Sequence, residues 1–435
     1  MIRVFTFAFV LLAALPVHAA TDIQVVTSPG GITAWLVQEP SIPMVAFQFS
    51  FRGGASQDAP DKLGATNLMV GLLEEGAGEL SATEFAERSD ELGARFRFNT
   101  GRDSVSITAS MLTSQLDESV ALLRLALIEP RFGEVAFERV RGQVNSGLRS
   151  DETDPQSIGS AAFQAMTFPN HAYGLPTDGT LATIAALTPD DMRNAHRTAL
   201  GRNAVKIGVV GDISPEALGL ILDELLGALP ENISDSVPDV QPVLDAGITV
   251  IEFETPQSVV MFAQPGIDRK DPDYLAAYVL NHIIGGRSST ARLNEEVREK
   301  RGLTYGISSF LLPFQHAALY MGQFNSGNET VAEAVGIVQD EWAKVADTGI
   351  SQEELDVAKR YLTGAYPLRF DGNAEIAGIL AGLQVVDLPL SYIVERNDLV
   401  NAVTLEEMNR VAARLYQPEN LRFVVVGKPE GLAQD

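Results

Sequence analysis

Over Ile32–Gln38 and again over Val45–Arg52, apolar and polar side chains alternate with a period of two, which predicts two neighbouring strands. The spacing then lengthens. GATNLMVGLLEEG, starting at Gly64, and Ala82–Leu92 place apolar residues three and four apart and predict helices. A second strand pair follows at Phe96–Asn99 and Ser104–Met111, then another helix at Leu116–Leu127. The same order returns later: strands Thr249–Glu254 and Val259–Pro265, a helix over Pro272–Ile284, a charged helix carrying Arg298, and strands Thr304–Leu312 and Ala317–Asn325. Paired strands with helices between the pairs imply an α+β layered fold, not strict βαβ alternation.

The repetition extends to residue identity. Leu187–Ile213 parallels Val403–Pro429, with Thr188 matching Thr404, Met192 matching Met408 and Gly211 matching Gly427. Each copy reads as a Thr-capped amphipathic helix, a turn, and a Val-rich strand that stops at glycine. A weaker echo sets Gly147 against Gly364. One shift shared by several positions, and far longer than a solenoid repeat, indicates a duplicated domain. The Pro-, Asp- and Ser-rich stretch 231–246 has no helical or strand period and is the expected linker. Residues 20–230 and 247–435 are then the two homologous domains.

Composition adds location and excludes some partners. Of 435 residues 46% are hydrophobic, enough for the two cores that this length calls for. Arg3, the short apolar run Val4–Leu15 and the Val17-His18-Ala19 cleavage pattern mark residues 1–19 as a signal peptide. No later apolar run is long enough for a membrane anchor. With no cysteine there are no disulfides, which fits an exported, periplasmic protein. The net charge of −25 argues against nucleic-acid binding.

The chemistry concentrates between Gly285 and Ser309, GGRSSTARLNEEVREKRGLTYGISS. The pair Gly285-Gly286 permits close backbone approach, and Ser288 and Ser289 precede a helix whose apolar stripe is Leu293 and Val297. Arg298 offers a fixed charge with a fork of N–H donors, and Tyr305 a phenolic O–H. Converging, the two could hold a peptide carbonyl or the oxyanion derived from it. Separately, Arg298 would be a surface partner of Glu295, and Tyr305 a core aromatic.

This stretch closely resembles the second-half motif of the insulinase-like zinc peptidases (the pitrilysin and mitochondrial-processing-peptidase group). The resemblance covers nearly all of the mature chain. It implies two homologous domains, each a mainly antiparallel sheet covered by helices, together forming half of a clam-shell. It also implies that Arg298 and Tyr305 bind substrate, with Gly285, Gly286, Ser288 and Ser289 alongside. The family's metal motif, His-x-x-Glu-His, falls here on Asn67, Val70 and Gly71, and its third ligand falls near Gly147. None of these four can ligate zinc or act as a base. His171 and His316 have no ligand partner nearby in sequence, His196 reads as solvated, and His282, just before the glycine pair, reads as a core or capping residue; none is assigned to metal.

The expectation is a non-catalytic, active-site-completing subunit of a heterodimeric zinc metallopeptidase, with zinc bound by a partner subunit and peptides as substrates. The alternative is a peptidase-like scaffold or peptide-binding protein with no part in hydrolysis.

Overall fold

Two sheets with matching strand order carry the chain. A computed structural model describes residues 22–231 and 237–432; the expected signal peptide, 1–19, lies outside them. The first sheet runs β1 (Ile23–Thr27), β2 (Thr33–Gln38), β8 (Val205–Gly211), β3 (Met44–Arg52), β7 (Ser104–Leu112), β6 (Arg95–Thr100). The second runs β9 (Gly247–Glu252), β13 (Arg422–Gly427), β10 (Gln257–Pro265), β12 (Ala318–Gly327), β11 (Ile307–Pro313). Two-residue strands β4 (Gly76–Ala77) and β5 (Leu80–Ser81) form a separate hairpin. Apart from β1, which has no counterpart, the two orders correspond strand for strand. In each, the first strand lies parallel to its neighbour (β2 to β8, β9 to β13) and the other pairings are antiparallel. The architecture is α+β, as the element pattern predicts.

Period-two alternation decides which face each strand buries. In β3, Val45, Phe47, Phe49 and Phe51 point into the first core, beneath the domain's own helices, while Ala46 points to the opposite face. In β10, Val260 and Phe262 enter the second core, and Val259, Met261 and Ala263 face the other way. Those opposite faces are covered by exchange. Helix Pro155–Thr167, from the first half, lies on β10 and β13 of the second sheet. Helix Asn373–Val385, from the second half, lies on β3 and β8 of the first.

The exchange rests on close backbone approach. A Cβ at Gly208 in β8 would fall on the carbonyl oxygen of Ala377 and within 2.9 Å of Leu380. A Cβ at Gly159 would stand 3.1 Å from a Val426 methyl. Glycine inside a strand marks such an approach.

A polar hub closes the same junction. Buried Tyr173 donates its hydroxyl to Asp103 Oδ2 (2.7 Å) and accepts from the backbone N–H of His316 (3.1 Å). Arg102 donates to the Tyr173 carbonyl and to Gln164 Oε1, both at 2.9 Å. Burial, then the neighbouring Asp103 carboxylate, push the Tyr173 hydroxyl above its usual range. The described part of stretch 231–246 has no helix or strand and is strapped down. Val240 N–H donates to His316 O (2.9 Å), and Val243 N–H to Thr167 O (2.8 Å).

Gly208→Ala is expected to destabilise the protein by about 1–3 kcal/mol, because the added methyl must push helix Asn373–Val385 off the sheet. Gly336→Ala, in a helix where a Cβ meets nothing within 4 Å, should hold or raise the melting temperature. Thermal unfolding of the two variants tests the contrast.

Candidate functional site

In the first domain, the helix that carries the metal-motif positions is short, Ala65–Val70, and enters from Gly64 in the left-handed region (φ 86°). Asp58 holds its start. The carboxylate accepts from the N–H groups of Gly64 (3.0 Å) and Thr66 (3.2 Å) and from the Thr66 hydroxyl (2.6 Å). Burial outweighs these bonds and pushes the Asp58 carboxyl up to about 6.

Asn67 is half-buried, Val70 is buried in the first core, and Gly71 ends the helix. Gly71 is exposed, and a Cβ there would stand 3.2 Å from Val140 Cγ1 on the adjacent helix, a tight contact. Gly147 lies exposed on that adjacent helix, Glu134–Asp151. Among the described residues no group of three or more His, Cys, Asp or Glu stands together as a metal set. These residues do not fit a zinc ion.

In the second domain, the glycine pair ends helix Tyr274–Gly285. The helix packs so tightly on β11 that a Cβ at Gly285 would overlap Ser309 Oγ, which in turn donates to Asn281 Oδ1 (2.8 Å). Its start is fixed by charge. Asp273 pairs with Arg410 and Arg414, each at 2.6 Å, and Asp271 with Arg414 at 2.6 Å. Bonding to Arg410 holds the Asp273 carboxyl down at about 2.

Beyond the glycines, Ser288 spends its hydroxyl on Thr290, accepting from its N–H at 3.2 Å and lying 2.7 Å from its Oγ1, while Ser289 is exposed. Asn294 escaped the sequence reading and organises this loop. It is buried, donates to Ser288 O (3.1 Å) and accepts from Ile307 N–H (3.4 Å), tying the serine loop to the start of β11. Its signal is a polar residue three positions from Ala291 and Val297, on the apolar face of the helix. Arg292 grips Glu354 in a two-pronged pair (2.6 and 2.9 Å). Leu293 and Val297 are fully buried.

The helix turn at Asn294–Glu299 is widened, with Lys300 N–H reaching Glu295 O, and Gly302 (φ 65°) ends it. Arg298 has 47% of its side chain exposed and lies 3.6 Å from Glu299; Glu295, its expected surface partner, pairs with Lys300 instead. Tyr305 is 88% exposed and is not a core aromatic. The strand predicted from Thr304 begins at Ile307. The Thr304 hydroxyl accepts from Gly306 N–H (3.1 Å) and donates to Gly306 O (3.0 Å), and so closes a turn with Tyr305 at its tip. Arg298 and Tyr305 therefore flank one turn, joined through Gly302 N–H donating to Arg298 O (2.8 Å). Their side chains make no hydrogen bond to each other.

The histidines have structural partners. His196, expected to be solvated, bonds Leu127 O (2.8 Å) and meets Phe132 edge-on, because the end of helix Pro189–Ala199 lies against the first core. Burial lowers its pKa. His282 stacks on Tyr361, His171 bonds Pro238 O and His316 bonds Asp239.

Among the described residues, a doubled α+β scaffold carries an exposed Arg/Tyr turn in its second half and residues that cannot ligate zinc at the metal-motif positions of its first. The family model described as "Insulinase (Peptidase family M16)" matches residues 34–181, and "Peptidase M16 inactive domain" matches 186–362. The chain belongs to the insulinase-like M16 peptidase family. It is 25% identical over 389 residues to the non-peptidase homolog YmxG of Helicobacter pylori, covering 88% of this chain and 89% of that one. It is 26% identical to an uncharacterized zinc protease of Streptomyces coelicolor, over 82% of this chain and 80% of that one. The crystal structure of a peptidase M16 inactive domain from Pseudomonas fluorescens superposes with a TM-score of 0.88 at 29% identity, over 95% of this chain and 99% of that one.

Two measurements check the local physics. Gly71→His should leave a lower melting temperature than Gly147→Glu, because its Cβ must displace Val140 Cγ1 by a few tenths of an ångström whereas a Cβ at Gly147 meets nothing. Asp273 has a depressed pKa, so its stabilisation is complete above its unfolded value of 3.8 and is lost as pH falls towards about 2. Asp273→Asn should therefore lower the melting temperature at neutral pH, and its gap from the parent should close over that acid window.

Proposed function

We propose that this chain is the active-site-completing subunit of an exported, periplasmic heterodimeric zinc metallopeptidase. A partner of the same family supplies the metal and the attacking water. This chain supplies Arg298 and Tyr305, which donate to the carbonyl oxygen of a bound peptide and stabilise the negative charge that develops there.

The observation that carries the reading is the contrast between the two halves. Positions 67, 70 and 71 are Asn, Val and Gly and offer no zinc ligand. The turn bearing Arg298 and Tyr305 remains exposed, and Asn294 and the Arg292–Glu354 pair hold it in place. An 88% exposed tyrosine with no hydrogen bond among the described residues contributes little to the fold. Its hydroxyl is free for another molecule. Among the described residues no helix is long and apolar enough to cross a membrane.

The chain alone should not cleave peptides. Mixed with a His-x-x-Glu-His partner from its native source, it should confer cleavage. In that mixture Arg298→Ala should lower kcat by about 10²–10³, and Tyr305→Phe should also lower it, with the melting temperature of the chain unchanged. Normal turnover by both variants refutes the assigned roles.

A further inference from the structure

Within the second domain, on elements other than those bearing Arg298 and Tyr305, lies a cavity of about 640 Å³. Helices Tyr274–Gly285, Asn373–Val385 and Tyr392–Ala402 wall it, together with the residues after Ala365. Arg269, Arg369 and Arg396 line it, and Arg269 and Arg396 each lie over two tyrosine rings. Arg269 Cζ is 4.3 Å from the ring centre of Tyr274 and 5.5 Å from that of Tyr392. Arg396 Cζ is 4.6 Å from Tyr366 and 5.6 Å from Tyr278.

Neither arginine makes an ion pair among the described residues. Arg396 is only 4% exposed, and its described partners are all neutral: Leu362 O (2.8 Å), Asn397 Oδ1 (3.0 Å) and Tyr278 Oη (3.3 Å). Arg269 makes no described hydrogen bond, so its whole fork of N–H donors is available. Asp371 and Glu375 also line the cavity, both exposed, and neither pairs with these arginines.

In a chain of net charge −25, a cavity wall carrying the three arginines Arg269, Arg369 and Arg396 against the two carboxylates Asp371 and Glu375 is locally positive. A guanidinium that lies over aromatic rings can still offer a carboxylate two parallel N–H bonds. Apolar side chains, among them Leu275, Ile379 and Leu383, make up much of the remaining wall. Helix Asn373–Val385 turns Gly378 and Gly382 towards the cavity, leaving a trough among the tyrosine rings where side chains would otherwise project. The volume falls within the range of small-ligand sites.

We infer that this cavity binds an organic carboxylate with an aromatic or aliphatic body. The acid group is received by Arg269 and the Arg396 charge, and the body lies against the tyrosines and the glycine trough. Two sources share this chemistry: the C-terminus of a peptide ending in an apolar residue, and a free aromatic acid.

Calorimetric titration of the full chain tests it with N-acetyl-Ala-Phe, its C-terminal amide, and 3-phenylpropanoate. The peptide acid should bind about tenfold or more tighter than its amide. Arg269→Met, which removes no described hydrogen bond, should erase that preference. Gly378→Leu, where a Cβ meets nothing within 4 Å, should fill the trough and abolish binding, with the melting temperature of both variants unchanged. Tighter binding of the peptide acid than of 3-phenylpropanoate assigns the site to peptide ends, and the reverse order assigns it to free acids. Equal binding of acid and amide, intact binding in Gly378→Leu, or no binding of either acid at millimolar concentration overturns the proposal.

Discussion

Everything in this molecule depends on the reciprocal covering of its sheets. A sheet with two apolar faces must bury both. Each domain buries one face under its own helices and the other under a helix lent by its twin, Pro155–Thr167 in one direction and Asn373–Val385 in the other. Separating the halves would expose Val210 and Ala46 on one sheet and Val424, Val426 and Met261 on the other. It would also break the Tyr173–Asp103–His316 hub. The duplication has thus produced a single body from two repeats, and any functional element on one half is held at a fixed position relative to the other.

That rigidity reaches the Arg298–Tyr305 turn through short steps. The second core fixes Leu293 and Val297, the Arg292–Glu354 pair anchors the helix side, and Asn294 joins the serine loop to the edge strand β11. Burial alone would raise the Glu354 carboxyl, but the Arg292 fork and the Ser351 donors outweigh it and hold the group near 2. The pair therefore stays charged at any ordinary pH. A binding turn needs such support, because side chains that reach into solvent contribute nothing to their own orientation.

Much of this was legible in the sequence. Period-two and period-3.6 stretches placed most elements, and the shared shift between Thr188–Gly211 and Thr404–Gly427 exposed the duplication. The Arg298–Tyr305 stretch stood out through its glycines. Other features were not legible, for identifiable reasons. The helix exchange leaves only a faint trace, a glycine inside the apolar strand Val205–Gly211, and nothing local says which helix approaches it. The beginning of β11 was misplaced because Thr304 bonds to the backbone of Gly306, a side-chain choice that apolar period cannot report. His196 looked solvated on a helix rich in charge, yet its position at the carboxy-terminal end turns it onto Phe132. Arg269 and Arg396 drew no notice, since their tyrosine partners are scattered from Tyr274 to Tyr392 and only the fold assembles them.

The first domain shows why metal-binding residues can be dispensed with here at little cost to the fold. A helix start leaves unpaired N–H groups that something must satisfy. In helix Ala65–Val70 that task falls to Asp58, which bonds Gly64 and Thr66 from outside the metal-motif positions. The other end is secured by Val70 in the core and by Val140 against Gly71. Neither anchor uses residue types that a metal would need, so the helix keeps its place whether or not positions 67 and 71 can ligate. Small structural metal domains behave oppositely, because in them metal binding is itself the folding energy. In this scaffold, fold and metal are energetically separable. Positions 67 and 71 can therefore lack metal ligands without loss of the scaffold.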